Sequence, residues 1–376
     1  MKKTNSHKIF FDGLRSSDRL FKGENKSKYK LPSYDPENHY LEIAKPGYFK
    51  ALTVLRHHIK MASVYYWSNI QGAYNVDLFM MTASVSSPMG SGSDSEAASI
   101  KFGNLKTFLV DSSQFGFEPI IINGLEKVFC YLPSMRGENP DKRHLNQFFH
   151  CEAEILGPIT KLTPQVEGYV RFLAETLLCL KNLVNLLSID GEKTLEVLGE
   201  IAKSKHFQEI EFDDAIKLLK DKGFGEFVRE TPKGRDITSL GELKLMELLG
   251  SKLPVWVKNF DRDRVAFYQK PQKSNSNKTI NADLIFPNII VGSFGGEVVG
   301  CGQRQDDHEE MIESLKRRNV CAEPYGWYIN LRKLKEYKTT SGFGLGIERF
   351  ITWSLCRDDI KDVILYPRLK NVLSRP

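Results

Sequence analysis

The chain has 376 residues, 41% of them hydrophobic and 27% charged, with a formal net charge of +6 at neutral pH. That length can bury a large core as one catalytic domain, or one with a small appendage, and the composition excludes disordered, collagenous and membrane-embedded classes. The mild positive charge permits an acidic ligand without demanding nucleic acid.

Residues 1–45 are polar and basic, with nine Lys/Arg against three Asp/Glu through Lys30. They are expected to form a loosely ordered N-terminal arm that folds onto the rest or onto a partner; contact with RNA is the alternative. The longest apolar run there, Ile9-Phe10-Phe11, is shorter than a signal-peptide core. Residues 46–376 read as one catalytic domain, of which 160–250 is mostly helical.

From Tyr48, the apolar residues Phe49, Leu52, Leu55, Ile59 and Val64 fall on one helical face. Asn75 to Thr82 reads as a strand. Ser86 to Asp94 is Ser/Gly-rich, a flexible connection or a flap that closes over a ligand. A further strand is expected near Phe108, followed by Ser112 to Glu118 and a short helix ending at Asn123-Gly124. The run Val128 to Leu132 predicts a buried strand, Asn139-Pro140 a turn, and Phe148 to Glu154 a returning strand. The result is a hairpin whose loop carries Arg136, Glu138, Arg143 and His144.

Beyond the hairpin, the stripe from Val170 to Leu187 predicts an amphipathic helix, interrupted by charge and so not a membrane span. Asp213 is placed to cap a helix from Phe212. Pro254 to Lys258 and Val265 to Tyr268 read as strands. Ser341 to Phe350 places glycines at 342, 344 and 346, a Gly-rich turn before a helix, where backbone can approach an anion. Six cysteines are scattered without a CxxC pair or a histidine at zinc spacing. Reduced thiols, a cytoplasmic location and no structural metal are expected.

Four of these segments share one resemblance. RGENPDKRHLNQFFHCEAE, from Arg136, resembles motif 2 of the class II aminoacyl-tRNA synthetases, and GFGLGIERF, from Gly342, resembles motif 3. The similarity is closest to the asparaginyl/aspartyl subgroup. Gly296 to Arg304 resembles that subgroup's GE..GG.QR strand and Ser113 to Glu118 its S.QL..E segment. The four occur in family order, and the resemblance covers roughly Phe49 to Pro367. It implies an α+β fold, an antiparallel sheet flanked by helices. It also implies a homodimer through the motif 1 helix and strand, whose usual proline has Pro88 as nearest counterpart.

The resemblance further implies an ATP and Mg²⁺ site. Arg136 would hold the α-phosphate, for which the planar guanidinium fork is suited, and Arg349 the γ-phosphate. Phe148 would stack on adenine, with Glu138, Arg143, His144 and Gly346 completing the ATP site. Glu297 and Asp283 would hold Mg²⁺, although their spacing exceeds the family's by six residues. Glu152 would take the amino acid's ammonium, Gln114 and Glu118 would line that region, and Arg304 would read the side-chain oxygen. Three positions depart from the pattern: Phe117 where the aspartyl branch has lysine, Gln147 in place of glutamate, and Cys301 where glycine is usual. Cys301 is expected to narrow the pocket floor.

The subgroup's anticodon-binding barrel needs far more β-patterned sequence than residues 1–45 offer. On that ground the expected activity is an ATP-dependent, AMP-forming ligase. It would activate an aspartate- or asparagine-like amino acid as the acyl-adenylate and pass it to ammonia or a small amine without tRNA, like asparagine synthetase. The alternative is an RNA-acting synthetase or a non-catalytic regulatory paralogue. tRNA is thus possible but not favoured as a partner, and no membrane contact is expected.

Overall fold

A computed structural model describes residues 5–24, 28–86 and 96–375. Its centre is an eight-stranded sheet, ordered Tyr74–Asn75, Lys127–Met135, Gln147–Leu156, Thr340–Gly346, Gly296–Gln303, Asn281–Phe286, Val255–Lys258, Gln208–Glu211. All interior pairings are antiparallel. Only the two outermost strands join in parallel. With helices packed against it the fold is α+β.

Alternation along the strands assigns the two faces. Phe129, Tyr131, Cys151, Ala153, Ile155, Val299, Phe343 and Leu345 point to one side. They are buried there against helices Tyr48–Tyr65 and Ile159–Cys179 in the main core. Trp67 stacks on Phe343 at 5.0 Å between ring centroids, closing that layer. The opposite face carries Phe148, His150, Glu152, Glu154 and the glycines of Thr340–Gly346.

Several local expectations are corrected. The glycine segment is not a turn but a central strand, followed directly by helix Ile347–Ser354. Val265 to Tyr268 is not a strand; Phe267 and Tyr268 instead pack with Phe115, Tyr325 and Tyr328 in a separate cluster. Asn75 to Thr82 is not one strand: it holds the last residue of Tyr74–Asn75 and the two-residue strand Met81–Thr82. The strand expected near Phe108 is present as Leu105–Leu109, and the short helix expected to end at Asn123-Gly124 is present as Phe117–Ile122. The helix predicted over Val170 to Leu187 divides into Ile159–Cys179 and Lys181–Leu187. Asp213 does not cap its helix: Glu211 occupies that position, and Asp213 pairs with Arg235 at 2.5 Å and Lys278 at 2.6 Å. The helical 160–250 segment also holds strand Gln208–Glu211 and the hairpin Val228–Thr231 with Gly234–Ile237. Pro88 and most of the Ser/Gly-rich stretch, from Ser87 to Ser95, lie outside the described residues. No described helix is long and apolar enough to cross a membrane.

The basic N-terminal stretch, expected as a loosely ordered arm, contains helix Asn5–Arg19, which docks on the domain. Phe11 and Leu14 are buried, and Phe10 stacks on Tyr65 at 4.5 Å. Asp18 then completes a distant helix. Its carboxylate accepts from the backbone N–H groups of Asn182, at 3.0 Å, and Leu183, at 3.1 Å, in the first turn of Lys181–Leu187. The N–H groups of a helix's first turn lie ahead of its own hydrogen-bond ladder. Asp18→Ala is expected to lower unfolding free energy by about 2 kcal/mol, and Asp18→Asn by less. Urea denaturation followed by circular dichroism checks this.

Candidate active site

One end of the sheet's second face opens into a cavity lined by Arg136, Glu138, Arg143, His144, Phe148, Glu297, Gly346 and Arg349. The nucleotide-side residues singled out from the sequence therefore meet, although Arg136 and Arg349 are more than two hundred positions apart. Arg136 leaves the first hairpin strand with its guanidinium 5.2 Å from the Phe148 ring centroid. Its Nε is buried without a hydrogen-bond partner. Arg349, in the first turn of Ile347–Ser354, donates to the Glu297 carboxylate at 3.1 Å and to His144 Nε2 at 3.3 Å. His144 donates through Nδ1 to Asp141 at 2.9 Å. Burial, reinforced by Arg349, pushes its pKa below the usual histidine value, so the ring is neutral. Burial, then Arg136 and Arg349, brings His150 down to about 3.

Residues not foreseen from the sequence shape this end. Asn146 donates from Nδ2 to the carbonyls of Arg136, at 2.8 Å, and Glu138, at 2.7 Å, stapling the loop. Glu348 turns inward from Arg349, taking the Phe149 N–H at 2.8 Å and Arg56 at 2.7 Å. Glu242, on helix Ser239–Leu249, accepts the Glu297 N–H at 3.0 Å. Burial pushes its carboxyl up to about 7. The alternation of Phe148 to Glu154 signals Glu154, whereas nothing local to Glu242 in sequence marks it.

Asp283 and Glu297 converge over Gly300: a Cβ there would lie 3.5 Å from Asp283 Oδ1 and 3.6 Å from Glu297 Oε1. Burial, then Glu297, pushes Asp283 well above the usual carboxylate range. Burial pushes Glu297 upward too, but Arg349 overrides it and holds the carboxyl below its ordinary value. Two carboxyls that resist joint ionisation suit a cation between them. Among the described residues no three His, Cys, Asp or Glu side chains form a metal-holding group. The pair nonetheless fits Mg²⁺, which is usually bound by one or two carboxylates with phosphates and water.

The other end of the face holds the polar residues assigned to an amino acid. Glu152 is buried and accepts from Ser112 Oγ and from the Ser113 N–H at 2.9 Å. Burial raises its pKa. Arg304 is gripped by Glu154 through Nε at 3.0 Å and Nη2 at 2.7 Å, above the Tyr268 ring at 5.1 Å. Gln114 Nε2 donates to the Tyr268 hydroxyl. Glu118 does not join this group. It is fully buried, its oxygens taken by Arg332 at 2.8 Å, Tyr337 at 3.0 Å and Tyr328. Phe117 fills the small core under the hairpin. Cys301 does not narrow the floor: the period-two alternation turns it to the core face with Phe343 and Ala282, while Gly300 and Gly302 face the site.

Residues 33–370 match the family model of class II tRNA synthetases (D, K and N). A probable cytoplasmic asparagine–tRNA ligase of Encephalitozoon cuniculi is 30% identical over 268 residues, 69% of this chain and 56% of the relative. An asparagine–tRNA ligase of Thermococcus kodakarensis is 31% identical over 274 residues, 72% of this chain and 59% of the relative. The chain thus spans less than two thirds of the length of these curated relatives. The crystal structure of Pyrococcus horikoshii asparaginyl-tRNA synthetase complexed with asparaginyl-adenylate matches with a TM-score of 0.78 at 25% identity. That match covers 92% of this chain and 76% of the other. These relatives correct the expectation of a ligase that bypasses tRNA in favour of ammonia or a small amine: they are named as tRNA ligases.

The glycines of the central strand give a paired expectation. A Cβ at Gly342 would overlap the Glu154 carboxylate and the Arg304 guanidinium, whereas at Gly344 the nearest atoms, in Glu152, lie 3.7 Å away. Gly342→Ala should cost about 1–3 kcal/mol of stability. Gly344→Ala should leave the melting temperature within about 1–2 °C of the parent, a surface-like change of roughly 0.5 kcal/mol or less, yet obstruct ligand on the cavity side. Thermal melts with ligand-induced shifts separate the two.

Proposed function

The chain belongs to the class II tRNA synthetases of the D, K and N group, and from that membership we propose that it activates asparagine with ATP as asparaginyl-adenylate and transfers the asparaginyl group to tRNA. The observation that carries this reading is that Arg136 and Arg349, more than two hundred positions apart in sequence, share one cavity with Phe148 and Glu297. Activation begins with the asparagine carboxylate attacking the α-phosphorus. An O–P bond forms, the bond to the β-phosphate oxygen breaks, and pyrophosphate leaves. The nucleophile is already an anion, so no general base is needed, and positioning with electrostatic stabilisation supplies the catalysis.

Arg136 meets the charge gathering on the α-phosphate, and Arg349, Arg143 and neutral His144 orient the triphosphate tail. Phe148 stacks against adenine, worth about 1 kcal/mol beyond buried area. Glu297 and Asp283 would hold Mg²⁺, which when bound spreads the negative charge of the phosphates. In the second step a terminal ribose hydroxyl of tRNA attacks the acyl carbonyl and AMP departs. Glu152 receives the substrate ammonium, Gln114 lines that end, and Arg304 reads the side-chain oxygen.

Asparagine is favoured over aspartate by charge balance. The Arg304 guanidinium is already neutralised by Glu154 at 2.7 Å, deep in the protein. Phe117 supplies no second cation. A carboxylate side chain would add an uncompensated buried charge, whereas a carboxamide adds none. We further assign a homodimer through helix Tyr48–Tyr65 and strand Tyr74–Asn75, whose Met61 and Tyr74 are exposed. All six cysteines are free thiols, which suits the cytoplasm.

Exchange of labelled pyrophosphate into ATP is expected with asparagine and not with aspartate, and labelled asparagine should accumulate on tRNA. Arg136→Ala should lower exchange by about 10²–10³-fold, the loss seen when one preorganised donor is removed. Exchange without labelling of tRNA would overturn the transfer step; no exchange with any amino acid would overturn activation.

A further inference from the structure

The segment inserted between the hairpin and the later strands reaches the nucleotide end through one helix. Ser239–Leu249 is capped by Thr238, whose hydroxyl accepts the Gly241 N–H at 3.2 Å, and Leu245 and Met246 anchor it in the second core. Its first turn presses Glu242 and Leu243 against Gly295 and Gly296. A Cβ at Gly295 would come 2.6 Å from Leu243 Cδ2. At Gly296, which has φ +97°, it would overlap Glu242 Oε2 and come 2.6 Å from Arg143 Nη2. Helix and strand approach this closely because those two residues have no side chain.

Through that contact a single carboxylate oxygen does two things. Glu242 Oε2 accepts the Glu297 N–H at 3.0 Å and faces Arg143 Nη2 at 3.4 Å. Arg143 also donates from Nη1 to the Gly295 carbonyl at 2.5 Å and lies over Phe294, 4.6 Å from the ring centroid. Its guanidinium is therefore held between the Glu242 carboxylate and residues 294–295, at the rim of the cavity that Glu297 and Arg349 share.

We propose that Glu242 is a positioning residue for the nucleotide: it sets the Arg143 guanidinium and the backbone of Glu297, so that docking of the inserted segment determines how tightly the triphosphate is held. This rests on the reading of the cavity as an ATP site. Glu242 touches neither substrate nor reacting atoms; it acts through Arg143 and Glu297.

The test is equilibrium binding of ATP alone, in chelator and without amino acid or tRNA, with melting temperatures measured alongside. Glu242→Ala removes both acceptor contacts and should weaken ATP binding by about tenfold, the loss of one charge-assisted hydrogen bond. Glu242→Gln keeps an acceptor in the same place and should restore affinity to within about twofold. Gly296→Ala, which forces Glu242 and Arg143 apart, should behave like Glu242→Ala. Equal affinity in parent and Glu242→Ala overturns the proposal, as does a lowered melting temperature with unchanged affinity, which marks a brace only. Glu242→Gln as weak as Glu242→Ala overturns it too, since charge rather than placement would then be at work. A parent protein that binds no ATP overturns the ATP-site reading itself, and this inference with it.

Discussion

A strand has two faces, and each residue can serve only one of them. Everything in this structure follows from how the central strands divide that resource. On Gln147–Leu156, Phe149, Cys151, Ala153 and Ile155 hold the core while Phe148, His150, Glu152 and Glu154 build the site. On Thr340–Gly346 the core side keeps Phe343 and Leu345, and the other side is emptied to glycine. The apolar layer that stabilises the sheet and the polar layer that lines the candidate site are the same strands read one residue out of step. A one-residue slip in register would exchange them.

That division explains which parts of the site were legible in the sequence. Arg136, Phe148, Glu297 and Arg349 sit in segments whose spacing carries both fold and chemistry, and they meet in one cavity. Cys301 was misplaced because its odd position in the strand, rather than its neighbours' identity, decides its face. Glu118 looked like a pocket residue, yet Arg332, Tyr328 and Tyr337, all more than two hundred positions later, close around it. Glu242 gave no local signal, since its importance comes from two glycines on another element. Val265 to Tyr268 has the composition of a strand, but tertiary packing with Phe115 and Tyr328 overrides that propensity.

The functional correction has a physical origin too. Adenylate formation requires the same cations, stacking surface and carboxylates whether the acyl group goes to ammonia, an amine or a ribose hydroxyl. The acceptor arrives from outside those motifs, so the residues that reveal the first half-reaction are silent about the second. What redirects the reading is the names of the relatives, which are tRNA ligases.

The carboxylate of Asp18 caps a helix at Asn182, 164 positions further on. During synthesis, at roughly 5–20 residues per second, the first helix therefore emerges about 8–30 s before the turn it completes. Through most of that interval Phe10 and Phe11 lack Phe172, one of the rings they pack on, so this helix docks fully only once Ile159–Cys179 has been made. Docking of Asn5–Arg19 and capping of Lys181–Leu187 are thus one step, set by the later of the two partners to be made.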